Sequence, residues 1–164
     1  MIIALLSLSV AANPAFPLDT MKIRESSLNH TFGMVRNNGS RAHQGWDLEA
    51  NIGDKVYAIC DYKHISSGFS KDYGYWVQYQ STKSGYIYFN AHLSSFGSLK
   101  PDKRGTVVGY VGRTGNARNV STTHLHFEMR TRWRPGFGLV GRVSPARTFG
   151  SWKLYIRGGV NDPF

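Results

Sequence analysis

Apolar and polar residues alternate along this chain in short stretches, each closed by a glycine or a polar turn. The period of two predicts strands near 46–50, 55–60, 62–66, 74–80, 85–92, 106–112 and 124–130, with glycines at 53, 68, 85, 97 and 105 between them. Helical periodicity is scarce. Many short strands at this spacing predict an all-β domain, an antiparallel sandwich or barrel with little helix. Successive strand residues face opposite ways, so Leu125, Phe127 and Met129 are expected in the core and His124, His126 and Glu128 on the other face. By the same rule Ile87, Phe89, Ala91 and Leu93 form an apolar face, opposite Tyr86, Tyr88, Asn90 and His92. Residues 13–30 read as a linker or edge segment, because Pro14 and Pro17 disfavour a regular ladder. Trp152 to Arg157 reads as a further strand.

Histidines on the non-core faces of two strands are hard to explain as packing. With His43 and Asp47 of His-Gln-Gly-Trp-Asp they make five residues, His43, Asp47, His92, His124 and His126, of the types that bind a borderline metal such as zinc. Three ligands and two acid/base histidines would use all five, since a catalytic metal keeps one position open. Spacing leaves open which of His124 and His126 is the ligand. Glu128 either orients a ligand imidazole or forms an outward salt bridge to Arg130. His30 and His64 lie outside these motifs and read as surface or satisfied core residues. Cys60 reads as a small buried hydrophobe. Tyr73, Tyr75 and Trp76 either line a groove or are half core.

These motifs, in their order, resemble the lysostaphin/LytM-type zinc endopeptidases. The likeness runs from about Thr31 to Arg130. It takes in Thr-Phe-Gly at 31–33, His-Gln-Gly-Trp-Asp-Leu at 43–48 and Ala-x-x-Gly-Asp-x-Val-Tyr-Ala at 50–58. Further on come Tyr-Gly-Tyr-Trp-Val at 73–77, the glycine-rich run 105–115 and His-Leu-His-Phe-Glu at 124–128. The resemblance implies a LytM-type fold in which His43, Asp47 and His126 bind one zinc ion and His92 and His124 stay unligated beside the metal-bound water. It implies a metalloendopeptidase that hydrolyses peptide cross-links or bridges of bacterial peptidoglycan. Degenerate LytM-like proteins, which activate a hydrolase or bind the wall without catalysis, have lost ligands; here all five residues are present, which favours the enzyme. Asn90 is expected on the face of His92, where many relatives carry tyrosine. The chain divides accordingly into a signal-like segment and linker (1–30), a peptidase core (31–130) and a basic C-terminal extension on the same domain (131–164).

Charge adds a partner to this picture. The net charge is +10 with a pI near 9.9. From Lys100 to Arg157 twelve basic residues face only Asp102 and Glu128. An anionic cell envelope satisfies such a surface. Specific nucleic-acid binding is not expected, because Arg132-Trp133-Arg134 is the one short basic-aromatic interleave. The cluster from Arg130 to Arg147 is expected to act by long-range attraction, outside the catalytic constellation. Glycines 109, 112 and 115 lack the Lys-Ser/Thr of a phosphate loop and read as tight turns. A lone cysteine excludes an internal disulfide. Residues 2–12 are apolar and too short to span a bilayer, and Val10-Ala11-Ala12 suits signal cleavage. A periplasmic or secreted monomer without a transmembrane segment is expected.

Overall fold

The computed structural model describes residues 15–161; the signal-like segment and its Val10-Ala11-Ala12 site lie outside them. Twelve strands follow in chain order: β1 (Thr20–Met21), β2 (Gly33–Arg36), β3 (Arg41–His43), β4 (Trp46–Glu49), β5 (Lys55–Tyr57), β6 (Tyr62–Ser70), β7 (Gly74–Ser81), β8 (Ile87–Phe96), β9 (Val107–Val111), β10 (His124–Arg130), β11 (Arg142–Val143) and β12 (Val160–Asn161). The α-helix α1 (Ala146–Phe149) is a single turn. The fold is all-β and antiparallel, as the alternation predicts.

Eight strands form the main sheet. Its spine runs β11-β10-β8-β7-β6, with β4 also on β10, and β9 joining β8 to β5. The strand β4 lies antiparallel to β10 with Leu48 opposite Leu125 and Trp46 opposite Phe127. Those four side chains are fully or almost fully buried, in a core with Met129, Val77, Tyr79 and Val111. Burying an aliphatic or aromatic side chain of this kind contributes about 1.5–3 kcal/mol. Alternation on β10 therefore divides as read: Leu125, Phe127 and Met129 face the core, and His124, His126 and Glu128 face away.

The segment read as a linker or edge is a paired edge packed into this core. The strand β1 pairs with β12, and Ala15, Phe16, Leu18, Met21 and Ile23 join the main cluster. Trp152 to Arg157 corrects the strand reading: Trp152–Tyr155 is a 3-10 turn. Ser151 Oγ accepts the Lys153 N–H at 3.3 Å and caps the turn. Tyr155 then reaches inward, its hydroxyl donating to the Phe149 carbonyl at 2.6 Å and its ring beside Trp46.

A second correction concerns β8. Antiparallel partners share a face, and Asn90 lies opposite Phe127 and Val77, Tyr88 opposite Met129 and Phe89 opposite Glu128. Tyr88 and Asn90 thus face the core side, and Phe89 and Ala91 face the side of Glu128 and His126, the reverse of the simple alternation. Between Val77 and Tyr75 the strand β8 carries an extra residue, passing from Asn90 to Leu93. This bulge includes His92, whose φ is +65°, a left-handed conformation that costs a non-glycine residue roughly 1–2 kcal/mol. The bulge returns His92 to the side of His126 although Ala91 already faces it. Asn90 therefore does not share the face of His92. It is fully buried, and its side-chain amide has no hydrogen-bond partner among the described residues.

Candidate metal centre

Three elements converge on one point. Asp47 on β4 lies directly opposite His126 on β10, so both project from the same sheet face. His43 ends β3, and the chain returns into β4 through Gln44 and Gly45. A Cβ at Gly45 would lie 2.1 Å from the Phe127 carbonyl oxygen; only glycine lets the two backbones pass this closely. That approach brings His43 back over Asp47. His43, Asp47 and His126 are all buried, and their ligand atoms lie within 4.8 Å of one another.

The hydrogen bonds decide which imidazole nitrogen carries a proton. A carbonyl or carboxylate can only accept, so the nitrogen facing it must donate. His43 Nδ1–H donates to the Thr31 carbonyl at 2.9 Å. His126 Nε2–H donates to Glu128 Oε1 at 3.0 Å. Their second nitrogens, His43 Nε2 and His126 Nδ1, face Asp47 Oδ1 at 3.1 and 2.8 Å; in the metal-free site His126 is a cation that donates Nδ1–H to that oxygen, and loss of this proton frees the lone pair. With His43 neutral, its Nε2 and Asp47 Oδ1 face each other as two acceptors. A cation held by these residues would offset that repulsion. The donor set of two imidazoles and one carboxylate fits a divalent zinc ion.

Asp47 is held from behind by residues that sequence reasoning missed. Its Oδ2 accepts from Arg36 Nη2 at 2.7 Å and from His30 Nδ1 at 3.1 Å. Burial alone would raise its carboxyl, but the surrounding imidazoles hold it well below the usual carboxylate range. His30 is thus more than a satisfied core residue: it orients a candidate ligand. No local motif announces it, nor Arg36. His64 is exposed at a bulge of β6, in keeping with its bland reading. Cys60 packs against the core, where burial pushes its thiol up to about 11.

His92 and His124 flank this trio with their rings 4.9 Å apart, and His92 lies 5.9 Å from the His126 ring. Each commits Nδ1–H to a backbone carbonyl, His92 to Thr114 at 3.0 Å and His124 to Thr122 at 3.2 Å. Each therefore keeps a free Nε2 lone pair, and that of His124 lies 3.9 Å from Asp47 Oδ1. The Thr114 acceptor is positioned by close backbone packing: a Cβ at Gly74 would lie 2.4 Å from the Thr114 carbonyl carbon, and one at Gly115 would lie 2.3 Å from the Gly74 nitrogen. Burial, with the nearby charges of His126 and His124, lowers His92 to about 3. Burial lowers His124 to about 4 against the opposing pull of Asp47. Both are neutral near pH 7. The five residues line one cavity of about 310 Å³ whose walls include Arg24, Arg36 and Arg41.

Glu128 orients the His126 imidazole, and its salt bridge to Arg130 is buried rather than outward. Beyond His126, its Oε1 accepts from the Tyr73 hydroxyl at 2.8 Å, and its Oε2 accepts from Arg130 Nε at 2.7 Å and Arg142 Nε at 2.8 Å. It has no exposed surface. Burial opposes its charge, yet the His126 bond and the Arg130 guanidinium hold it far below the usual range. This corrects the reading of the basic cluster: Arg130 and Arg142 are tied to Glu128 and support the site rather than forming a free surface.

The sequence matches the profile of peptidase family M23 over residues 41–136. The chain belongs to peptidase family M23. Comparison with curated proteins gives no match. Solved M23-type structures share the fold: the catalytic domain of the antimicrobial peptidase lysostaphin from Staphylococcus simulans is 24% identical, with a TM-score of 0.57 over 80% of this chain and 90% of that one. Whole lysostaphin is 22% identical, with a TM-score of 0.64 over 93% of this chain and 61% of its own. A zinc-containing peptidase from Vibrio cholerae is 23% identical, with a TM-score of 0.55 over 79% of this chain and 39% of its own. The chain thus spans about six-tenths of whole lysostaphin and less of the Vibrio peptidase. No helix of the described residues is long and apolar enough to cross a membrane.

The M23 site makes a pH prediction. Without metal, burial disfavours the His126 cation, but its bonds to Asp47 and Glu128 outweigh burial and raise it to about 9. An entering metal must displace that proton. Below about pH 9, apparent zinc affinity is expected to rise with pH, by up to about tenfold per unit. Competition with a chromophoric chelator between pH 6 and 9 checks this; affinity that is flat with pH would contradict it.

Proposed function

We propose that this chain is a zinc metalloendopeptidase hydrolysing peptide cross-links or bridges of bacterial peptidoglycan. The observation that carries the reading is the orientation of the imidazoles: four histidines each commit one ring nitrogen to a carbonyl or carboxylate of the protein and turn the other toward a single cavity. His43, Asp47 and His126 would hold the zinc. When bound, the ion would supply Lewis acidity toward water and toward the amide carbonyl.

The remaining steps belong to the chain itself. His92 and His124, neutral and with free Nε2 atoms, can take a proton from the attacking water and return one to the leaving amine nitrogen. After either accepts a proton, the imidazolium sits beside the developing charge on the carbonyl oxygen and stabilises it. Nδ1–H bonds to Thr114 and Thr122 keep both rings from turning. Arg41, exposed at the cavity wall, adds to the attraction of an anionic wall polymer, while Arg24 and Arg36 are paired with Glu25 and Asp47. A periplasmic or secreted monomer with an N-terminal signal-like segment, the core 31–130 and the extension 131–164 on one domain is the organisation we infer. Lysostaphin and the zinc-containing Vibrio peptidase support the reading by fold, and presence of all five residues favours it over a non-catalytic activator or wall-binding module.

Digestion of purified peptidoglycans with different cross-links, read by mass spectrometry, tests this. New amine termini at one bond type, abolished by chelation and restored by zinc, are expected. Intact walls under all these conditions would overturn the reading.

A further inference from the structure

A second cavity, of about 610 Å³, adjoins the metal centre. Tyr73 lines both cavities, so they are one aromatic ring apart. Its walls include the rings of Tyr73, Trp76, Phe89 and Trp133, with Ser66, Ser70 and Gln78 beside them. Trp133 arrives on the turn between β10 and β11, closed by Thr131 N–H to the Gly141 carbonyl and Gly136 N–H to the Val140 carbonyl, each 3.0 Å. Gln78 Nε2 donates to the Trp133 carbonyl at 3.5 Å and ties the turn to the sheet.

The charge of this cavity is unbalanced. Arg130, Arg134 and Arg142 all line it, and no carboxylate among the described residues does. Glu128 behind the wall offsets one of the three guanidiniums. The Arg130 guanidinium carbon sits over Phe89, 3.5 Å from the ring centroid, held by Glu128 and by Gln78 Oε1 at 3.0 Å. Arg134 is exposed at the mouth. Aromatic walls carrying surplus positive charge suit a ligand with a small apolar body and an anionic end, and a planar guanidinium matches a carboxylate.

We propose that this cavity is a specificity subsite for a carboxylate-bearing residue of the substrate peptide, with Arg134 as its accessible anion contact. The proposal rests on the reading that the substrate is a wall peptide. An extended peptide advances about 3.3–3.6 Å per residue, so a chain crossing Tyr73 from one cavity to the other carries the carboxylate within a few residues of the scissile bond. Arg132, on the same turn, is the control. It is exposed and packs against Gly141, outside the cavity lining.

The test separates binding from hydrolysis. Acetyl-D-alanyl-D-alanine and its C-terminal amide are titrated into the wild-type protein, R134Q and R132Q in about 0.15 M salt, where steering is screened beyond about 8 Å. Tryptophan fluorescence reads binding, because Trp76 and Trp133 line the cavity. Wild type is expected to prefer the acid roughly tenfold or more, the scale of a charge-assisted hydrogen bond. R134Q is expected to lose that preference by weakening the acid alone, and R132Q to keep it. Equal binding of acid and amide, or equal losses in both variants, would overturn the subsite. A preserved preference in a protein that cleaves no wall would instead overturn the proposed function and leave the subsite standing.

Discussion

His92→Ala and His124→Ala are each expected to keep one zinc per chain and to lose about 10²- to 10⁴-fold in hydrolysis, the range typical of a lost acid or base. Neither ring belongs to the compact trio of His43, Asp47 and His126. Each is oriented by a backbone carbonyl outside the ligand trio, that of Thr114 or Thr122. Their loss should therefore reach proton transfer and leave the metal in place. Elemental analysis beside initial rates separates the two effects. A folded, zinc-free His92→Ala or His124→Ala would show that the ligands have been assigned wrongly.

Glu128→Ala is expected to be the most destabilising change at the site. It would leave Arg130, which is 4% exposed, and the equally enclosed Arg142 side chain without their shared carboxylate. Removing one partner of a buried ion pair costs about 3–5 kcal/mol. It would also free His126 Nε2 from its acceptor, and loss of such a support typically costs about 10- to 100-fold in metal affinity. Burial and Glu128 together push the Tyr73 hydroxyl up to about 12, so it remains a donor and would lose its acceptor too. Denaturant unfolding in the presence of chelator measures the first effect without the metal, and chelator competition measures the second. A variant of wild-type stability would contradict the buried network described here.

The parts of this site legible in sequence are those fixed by residue type and a short spacing. His124 and His126 are two apart on a buried strand, so alternation placed them on one face. His43 and Asp47 flank a glycine whose necessity lies in a backbone contact with Phe127, visible only in three dimensions. Residue type and motif single out His92, although simple alternation assigns Tyr88 and Asn90 to the wrong face. A one-residue bulge inverts the face of Tyr88 and Asn90, and alternation carries no mark of it. His30, Arg36 and Arg142 escape a sequence reading as site residues for a common reason. Each acts through a partner far along the chain, Asp47 or Glu128, and their types are ordinary at a surface. The Trp152 to Arg157 segment shows the same limit, since a Ser151 cap and the buried Tyr155 ring outweigh an apolar pattern.

The claim that everything else depends on is that His43, Asp47 and His126 hold one zinc ion. Zinc content of purified wild type and His43→Ala, measured by elemental analysis beside hydrolysis of peptidoglycan, tests it most directly. One zinc per wild-type chain, and none in a folded His43→Ala that has also lost hydrolysis, is the predicted result. Full activity in metal-free His43→Ala, or an undiminished zinc content in it, would contradict the account.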